Sequence, residues 1–239
     1  MFDYDSFEGE YESFQWDVHM LIEGTLRAGI RYLDSETETE LAKIEEWMKK
    51  PASDEWQEHL VDEHVDVLAT NAAQQRFLRN MALVGLASRL THALRAMAKA
   101  AETFNSRKKR YGQKDMSEFT RLWVEYKERF GIDFDAHASR IAFIEPLREV
   151  RNQIVHDGGE ANTIKPLDEI EDPGRDSDIL DVWFSAKYPE YVRGMGIGAE
   201  VDVSQDLLDK NVKAAIELVA WLSEELRKRE LASARTPQR

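Results

Sequence analysis

The residues with the clearest chemical potential lie in PLREVRNQIVHDGGEAN, residues 146–162, where Arg151 precedes a lone histidine, His156, by five positions. An arginine guanidinium binds a phosphate through two parallel hydrogen bonds and keeps its charge. A histidine titrates near neutrality, so it can take a proton from a hydroxyl group or give one to a leaving oxygen. These two side chains suffice for RNA cleavage without a metal, in which the ribose 2′-OH attacks its own phosphodiester.

The same residues also have a purely structural interpretation, because the segment has the pattern of a helix that ends at Gly158 and Gly159. A histidine in the last turn can hydrogen-bond free carbonyl groups and complement the helix dipole, for about 0.3–1 kcal/mol. On an ideal helix Arg151 and His156 are about 140° apart, whereas Asn152 and His156 share a face. The residues alone leave a reactive site and a helix cap both open.

The stretch EVRNQIVHDGG resembles the signature of the HEPN superfamily, in which an arginine, a polar residue and three further positions precede a histidine near the end of a bundle helix. Arg151 and His156 match its invariant positions, and Asn152 matches the polar one. The resemblance implies a helical bundle that dimerises with two such motifs facing each other, and metal-independent endoribonuclease activity, often in toxins or phage defence. Some members carry a tyrosine two positions after the histidine as a modification target, and here that position is Gly158.

We therefore predict an endoribonuclease that leaves a 2′,3′-cyclic phosphate and a 5′-OH, with Arg151 holding the scissile phosphate and His156 as general acid and base. Asn152 would orient the histidine or the substrate, and Arg148 would help to hold RNA. In a facing dimer the arginine and the histidine need not share a face, because each can act with its two-fold mate. The expected partners are tRNA or single-stranded RNA and a second copy of the chain, with an antitoxin or regulatory protein as a further alternative.

The alternative function is a non-catalytic module for dimerisation or partner binding, in which Arg151 and His156 serve only as cap and ion-pair residues. An ion pair between Arg151 and Glu145 or Glu149 would favour it. Its support in the sequence is the acidic N-terminal part, which could dock a basic protein.

Charge is distributed unevenly along the chain, whose net charge is −14. Residues 1–66 hold 19 acidic and 5 basic side chains, residues 76–151 hold 9 and 16, and residues 152–239 hold 18 and 11. The overall acidity argues against a general nucleic-acid-binding surface. The basic middle fits either ordinary solvated helix faces or a local basic cleft for a small or structured polyanion.

A second candidate for RNA binding is the basic loop NSRKKRYGQKD at residues 105–115, for which a solvated loop is the alternative. Its cations could hold a phosphate backbone while its aromatic ring stacks on a base. These residues are Arg107, Lys108, Lys109, Arg110, Tyr111 and Lys114. No cofactor and no metal are predicted, since cysteine is absent and His59 and His64 are five positions apart rather than four. His92 is interpreted as an ordinary isolated histidine.

Apolar residues recur at helical spacing through most of the chain, which predicts an all-α fold: one HEPN-like domain, 1–239, built as a bundle of five or six helices. Acidic N-terminal helices, 1–66, would precede a core bundle, 67–231, and a frayed tail, 232–239. An irregular insert is expected before the last helix, in which DILDVWFSA and AEVDV form a short β-hairpin or two edge strands.

Individual helices can also be delimited. An apolar stripe over 11–33 predicts a first helix, a separate charged helix ends at Pro51, and Ser53 caps a long helix or two collinear ones. A further helix ends at Gly131, the next spans 134–156 with a kink or a later start near Pro146, and Ser204 caps the last. With no apolar run of about 18 residues and no signal peptide at the N-terminus, a soluble cytoplasmic protein is expected.

Overall fold

The computed structural model describes residues 7–101, 118–165 and 179–234 of the chain. Its α-helices are α1 Phe7–His19, α2 Ala28–Met48, α3 Asp54–Ala100, α4 Glu118–Phe130, α5 Ala138–Ile141, α6 Ile144–His156, α7 Trp183–Lys187 and α8 Gln205–Ala234. A π-helical segment, Met20–Arg27, joins α1 to α2, and short 3-10 turns lie at Asp135–His137, Pro189–Tyr191 and Gly196–Gly198. The prediction of an all-α bundle with a short β-hairpin before the last helix is confirmed. In these three ranges no helix is long and apolar enough to cross a membrane.

The N-terminal part is one continuous helical rod from Phe7 to Met48, so the division into an apolar helix and a separate charged helix was wrong. Its buried residues Phe14, Val18, Ile22 and Leu26 recur every four positions. A step of four over-rotates an α-helix by about 40°. The i→i+5 bonds of the π segment widen the turn, which keeps Ile22 and Leu26 facing the core.

Helix α3 is the central element, and of the two alternatives predicted after Ser53, one long helix or two collinear ones, the structure has the single helix. The Ser53 hydroxyl accepts a hydrogen bond from the Trp56 amide at 3.4 Å, which caps its first turn. Its C-terminal half packs on α1, α6 and α8, with Leu83, Leu90 and other apolar side chains fully buried. Its N-terminal half lies antiparallel to α2, and we refer to residues 28–48 and 54–78 together as the two-helix arm.

Helix α4 ends at Gly131, as predicted, because the φ of 68° at this residue is favourable for glycine. The single helix predicted over 134–156 is interrupted by the turn at Ala142 and Phe143, and α6 begins only at Ile144. Pro146 is the third residue of α6, where a missing N–H breaks no helical bond. The later start near Pro146 is therefore the alternative that the structure adopts.

Within the described residues, the insert before α8 contains two short antiparallel strand pairs, one more than the predicted hairpin. Strand β1, Thr163–Lys165, pairs antiparallel with β2, Ile179–Asp181, and β3, Val192–Arg193, pairs with β4, Glu200–Val201. DILDVWFSA and AEVDV thus do not pair with each other, and VWFSA is not a strand. Phe184 and Tyr188 are both buried at a spacing of four, which stabilises the helical turn of α7.

Helix α8 closes the bundle, and the predicted Ser204 cap is confirmed by a 3.2 Å hydrogen bond from the Leu207 amide to its hydroxyl. Leu208, Val219 and Leu222 on one face of α8 are fully buried. The helix continues to Ala234, and residues 235–239, the rest of the predicted frayed tail, lie outside the described residues.

Candidate active site

An open groove of about 630 Å³ lies between α3 and α6, and we call it the α3–α6 groove. It is lined by Ala87, Ser88, Thr91, His92, Arg95, Phe119, Arg148, Glu149, Arg151 and Asn152. Three guanidinium groups and one carboxylate contribute the full charges of this lining. The groove therefore carries a local excess of positive charge inside an acidic chain, as a site for a phosphate requires.

The α6 wall of the groove contains three of the predicted site residues. Arg148 forms an ion pair with its neighbour Glu149, and its Nε donates to a Glu149 carboxylate oxygen at 3.0 Å. Arg151 is half-buried and donates from its guanidinium to the Asn152 side-chain oxygen at 3.1 Å. Asn152 thus orients the Arg151 guanidinium within the groove, where a ligand phosphate could reach it.

Arg151 has no carboxylate within ion-pair distance among the described residues, although two glutamates share its helix. Glu149 pairs with Arg148, and Glu145 accepts a 2.7 Å hydrogen bond from Lys187 in the insert. This hydrogen bond from Lys187 lowers the pKa of the exposed Glu145 carboxyl. Among the described residues, Arg151 therefore forms neither of the two ion pairs, with Glu145 or with Glu149, that would favour the non-catalytic module.

The α3 wall contributes His92 and Arg95, which the sequence interpretation missed. Ser88, Thr91, His92 and Arg95 follow one another at helical spacing, so they share a face of α3. Leu90 and Leu94, on the opposite side of these turns, are fully buried. A polar stripe in SRLTHALRA, within the largely buried C-terminal half of α3, was the available signal.

His156 is the last residue of α6, is exposed, and does not line the α3–α6 groove. It lies one turn beyond Asn152, about 6 Å further along the helix axis. The helix is ended by Gly158, at a φ of 65°, and the Gly159 amide donates to the Gln153 carbonyl at 3.1 Å. Within the described ranges the His156 imidazole makes no hydrogen bond, so the backbone and not this side chain caps the helix.

A single chain therefore brings Arg148, Arg151 and Asn152 together, but it does not bring His156 into the same groove. The basic loop with Arg107, Lys108, Lys109, Arg110, Tyr111 and Lys114 lies outside the described residues, so its predicted role stays a prediction. The described residues contain no group of three His, Asp or Glu side chains that could hold a metal ion. The predicted independence from metals and cofactors is likewise untested.

No protein-family model, curated protein or solved structure matches this chain. The assignment to the HEPN superfamily therefore rests on the Arg151–His156 motif and stays a prediction.

Proposed function

We propose that the chain is a metal-independent endoribonuclease of the HEPN type that acts as a homodimer, in a toxin or phage-defence role. The observation that carries the proposal is the placement of Arg151 and Asn152 in an open basic groove, where no carboxylate of the described residues lies within ion-pair distance of the arginine. A buried ion pair would have made Arg151 structural. An accessible guanidinium oriented by an amide is instead available for a phosphodiester.

The proposed reaction needs two protein groups beside the substrate's own nucleophile. Arg151 holds a non-bridging phosphate oxygen and stabilises the charge that develops on it, while Arg148 and Arg95 hold neighbouring phosphates. A histidine accepts the proton of the 2′-OH, and a proton is returned to the 5′ oxygen as it leaves. The products are a 2′,3′-cyclic phosphate and a 5′-OH end.

The exposed position of His156 makes a composite site the simplest arrangement. A two-fold axis near the C-terminal end of α6 would bring the imidazole of one protomer to the groove of its mate. The basic side chains are confined to one small groove, while the chain as a whole is acidic. Such a surface favours a single-stranded region or a tRNA loop over duplex nucleic acid as the substrate.

The first test is cleavage of total tRNA and of a single-stranded RNA by purified protein in excess EDTA. Arg151→Ala and His156→Ala are compared with Arg31→Ala and His59→Ala, which replace exposed residues of the two-helix arm. Loss of cyclic-phosphate products in the first pair only would support the proposal. Equal activity in all proteins would point to a contaminant or another site, and inactivity of a folded, dimeric wild type would favour the binding module.

Mixing the two inactive variants tests the composite site directly. Each mixed dimer retains one intact arginine–histidine pair only if the two residues come from different protomers. An equal mixture should then recover about a quarter of the wild-type activity, since half of the dimers are mixed and each has one working site. No recovery after verified subunit exchange would assign both residues to one chain.

A further inference from the structure

A second groove, of about 580 Å³, lies between α2 and α3 on the two-helix arm, away from the Arg151 site. It is lined by Gly29, Tyr32, Leu33, Thr70, Ala73, Gln74, Phe77 and Leu78. The lining is mostly apolar, and Tyr32 and Phe77 are 64% and 63% exposed. We call it the arm groove.

The shape of the arm groove depends on close packing of α2 against α3 at its floor. A Cβ atom at Gly29 would lie 3.0 Å from a Leu78 methyl group, so only glycine allows this approach without a shift. Two aromatic rings exposed over such a floor form a contiguous apolar surface, which in a soluble protein commonly marks a binding site.

Carboxylates border the arm groove. Glu36 lies one turn after Tyr32 on α2, and Asp66 lies one turn before Thr70 on α3, so both face the same side as the groove. Both are exposed, and neither makes an ion pair among the described residues. Residues 28–78 as a whole hold 12 acidic and 5 basic side chains, so this apolar surface lies in a strongly negative field.

The same face continues to a second apolar position at the far end of the arm. Trp47 lies 14 residues after Leu33, and Trp56 lies 14 residues before Thr70, so each is four turns, about 21 Å, from the groove. Both tryptophans are exposed. Between the two apolar positions the face carries Glu36, Glu40, Lys43, Glu63 and Asp66.

We propose that the arm groove binds a basic amphipathic helix of another protein. A helix of about four turns could place a large apolar side chain against Phe77 and Tyr32 and another against the tryptophans, with Lys or Arg residues opposite the glutamates. Docking of the arm of a second copy into this groove is disfavoured, because the two acidic arms repel each other. The proposal is independent of the ribonuclease activity, because no residue of the Arg151 site takes part.

The test measures binding of a fluorescent synthetic helix of leucine and lysine, with leucines at helical spacing, by anisotropy. A matched probe with glutamate in place of lysine controls for the apolar face alone. The variants are Phe77→Ser and the double change Glu36→Gln with Asp66→Asn. Their controls, Val65→Ser and Glu38→Gln, change exposed residues on other faces of the same helices.

The basic probe should bind the wild type, and Phe77→Ser should weaken it by about tenfold or more, as removal of a central aromatic anchor does. The double carboxylate change should weaken binding severalfold and reduce its salt dependence. Both control variants should bind the basic probe with an affinity within about twofold of the wild type, and the acidic probe should not bind.

Three results would overturn the proposal. The first is absence of binding, and the second is equal sensitivity to Phe77→Ser and Val65→Ser, which would indicate non-specific adsorption. The third is a wild-type self-association, measured by sedimentation equilibrium, that Phe77→Ser abolishes, since the groove would then hold a second copy of the chain. RNA cleavage by Phe77→Ser should equal that of the wild type, so failure here is distinguishable from failure of the ribonuclease proposal.

Discussion

The buried side chain of Asn80 connects α3 to the segment before α8, and its replacement by alanine tests how the end of α6 is positioned. Its amide nitrogen donates to the Val201 carbonyl at 2.9 Å, and its oxygen accepts from the Val203 amide at 3.1 Å. The Val201 amide in turn donates to the Gly159 carbonyl at 2.7 Å. Asn80 therefore fixes β4 on α3, and β4 fixes the chain that directly follows His156.

The free energy of unfolding that Asn80→Ala should cost follows from the burial of the groups that Asn80 contacts. Asn80 is 8% exposed, and Val201 and Val203 are at most 1% exposed. Water therefore has little access to the Val201 carbonyl and the Val203 amide, which Asn80→Ala would leave without their hydrogen-bond partner. Each buried backbone group that loses its partner costs about 1–3 kcal/mol. Two such groups give an expected loss of about 2–6 kcal/mol in the free energy of unfolding. For a chain of this length the melting temperature should fall by roughly 4–24 °C.

Urea unfolding followed by circular dichroism measures this loss, and hydrogen exchange reports the Val203 amide directly. The matched control is Asn71→Ala, which removes a half-buried hydrogen bond to Asp34 at 3.3 Å and one accepted from Gln75 at 3.0 Å. Water can reach the groups left behind, so the control should cost less than about 1 kcal/mol. Exchange at Val203 should accelerate in Asn80→Ala and not in the control. Equal costs for the two variants, or unchanged exchange at Val203, would refute the role given to Asn80.

Three further substitutions test separate contacts. Tyr126→Phe removes the 2.6 Å hydrogen bond from a buried hydroxyl to the Leu94 carbonyl and should cost about 1–2 kcal/mol in urea unfolding. Gly131→Ala, at a φ of 68°, should cost about 1–2 kcal/mol in the same assay, and Gly131→Asn less. The hydrogen bond from Arg229 lowers the pKa of Glu225 from its ordinary value of 4.5. The ionised Glu225 side chain therefore stabilises the fold fully above pH 4.5, and this contribution is lost as the pH falls through the lowered pKa. Glu225→Gln should therefore lower the melting temperature near neutral pH and flatten its fall in acid. A cost below about 0.5 kcal/mol for either of the first two changes, or an unaltered acid profile for the third, would contradict these assignments.

The fold was predictable where local chemistry alone decides it. Ser53 and Ser204 cap their helices through their hydroxyl groups, and Gly131 ends α4 at a positive φ, because these preferences depend on a few neighbouring residues. The π segment was not predictable from apolar spacing, which is compatible with an α-helix until packing against α3 is known. The pairing of the strands in the insert could not be predicted either, because strands of only two or three residues have too short an apolar pattern to specify a register.

The candidate site was only partly predictable, for a comparable reason. Arg151, Asn152 and Arg148 lie close together in sequence, so one helix motif identified all three. His92 and Arg95 reach the same groove from a helix more than 50 residues earlier, and only the packing of α3 against α6 joins them. The polar stripe in SRLTHALRA marks one face of α3 as different from its buried face, but it does not show which helix lies opposite.

The net charge of −14 does not argue against an anion site once the charges are placed in the fold. Asp66, at the border of the arm groove, and Ser88, at the start of the α3–α6 groove, are 22 residues apart on one continuous helix. That separation is roughly 33 Å along the axis. The Debye length at physiological salt is only about 8 Å, so the carboxylates of the arm are screened from the Arg151 guanidinium. The carboxylates of the arm therefore do not cancel the positive charge that the arginines lining the α3–α6 groove contribute locally, so an acidic surface and a basic groove coexist on one helix.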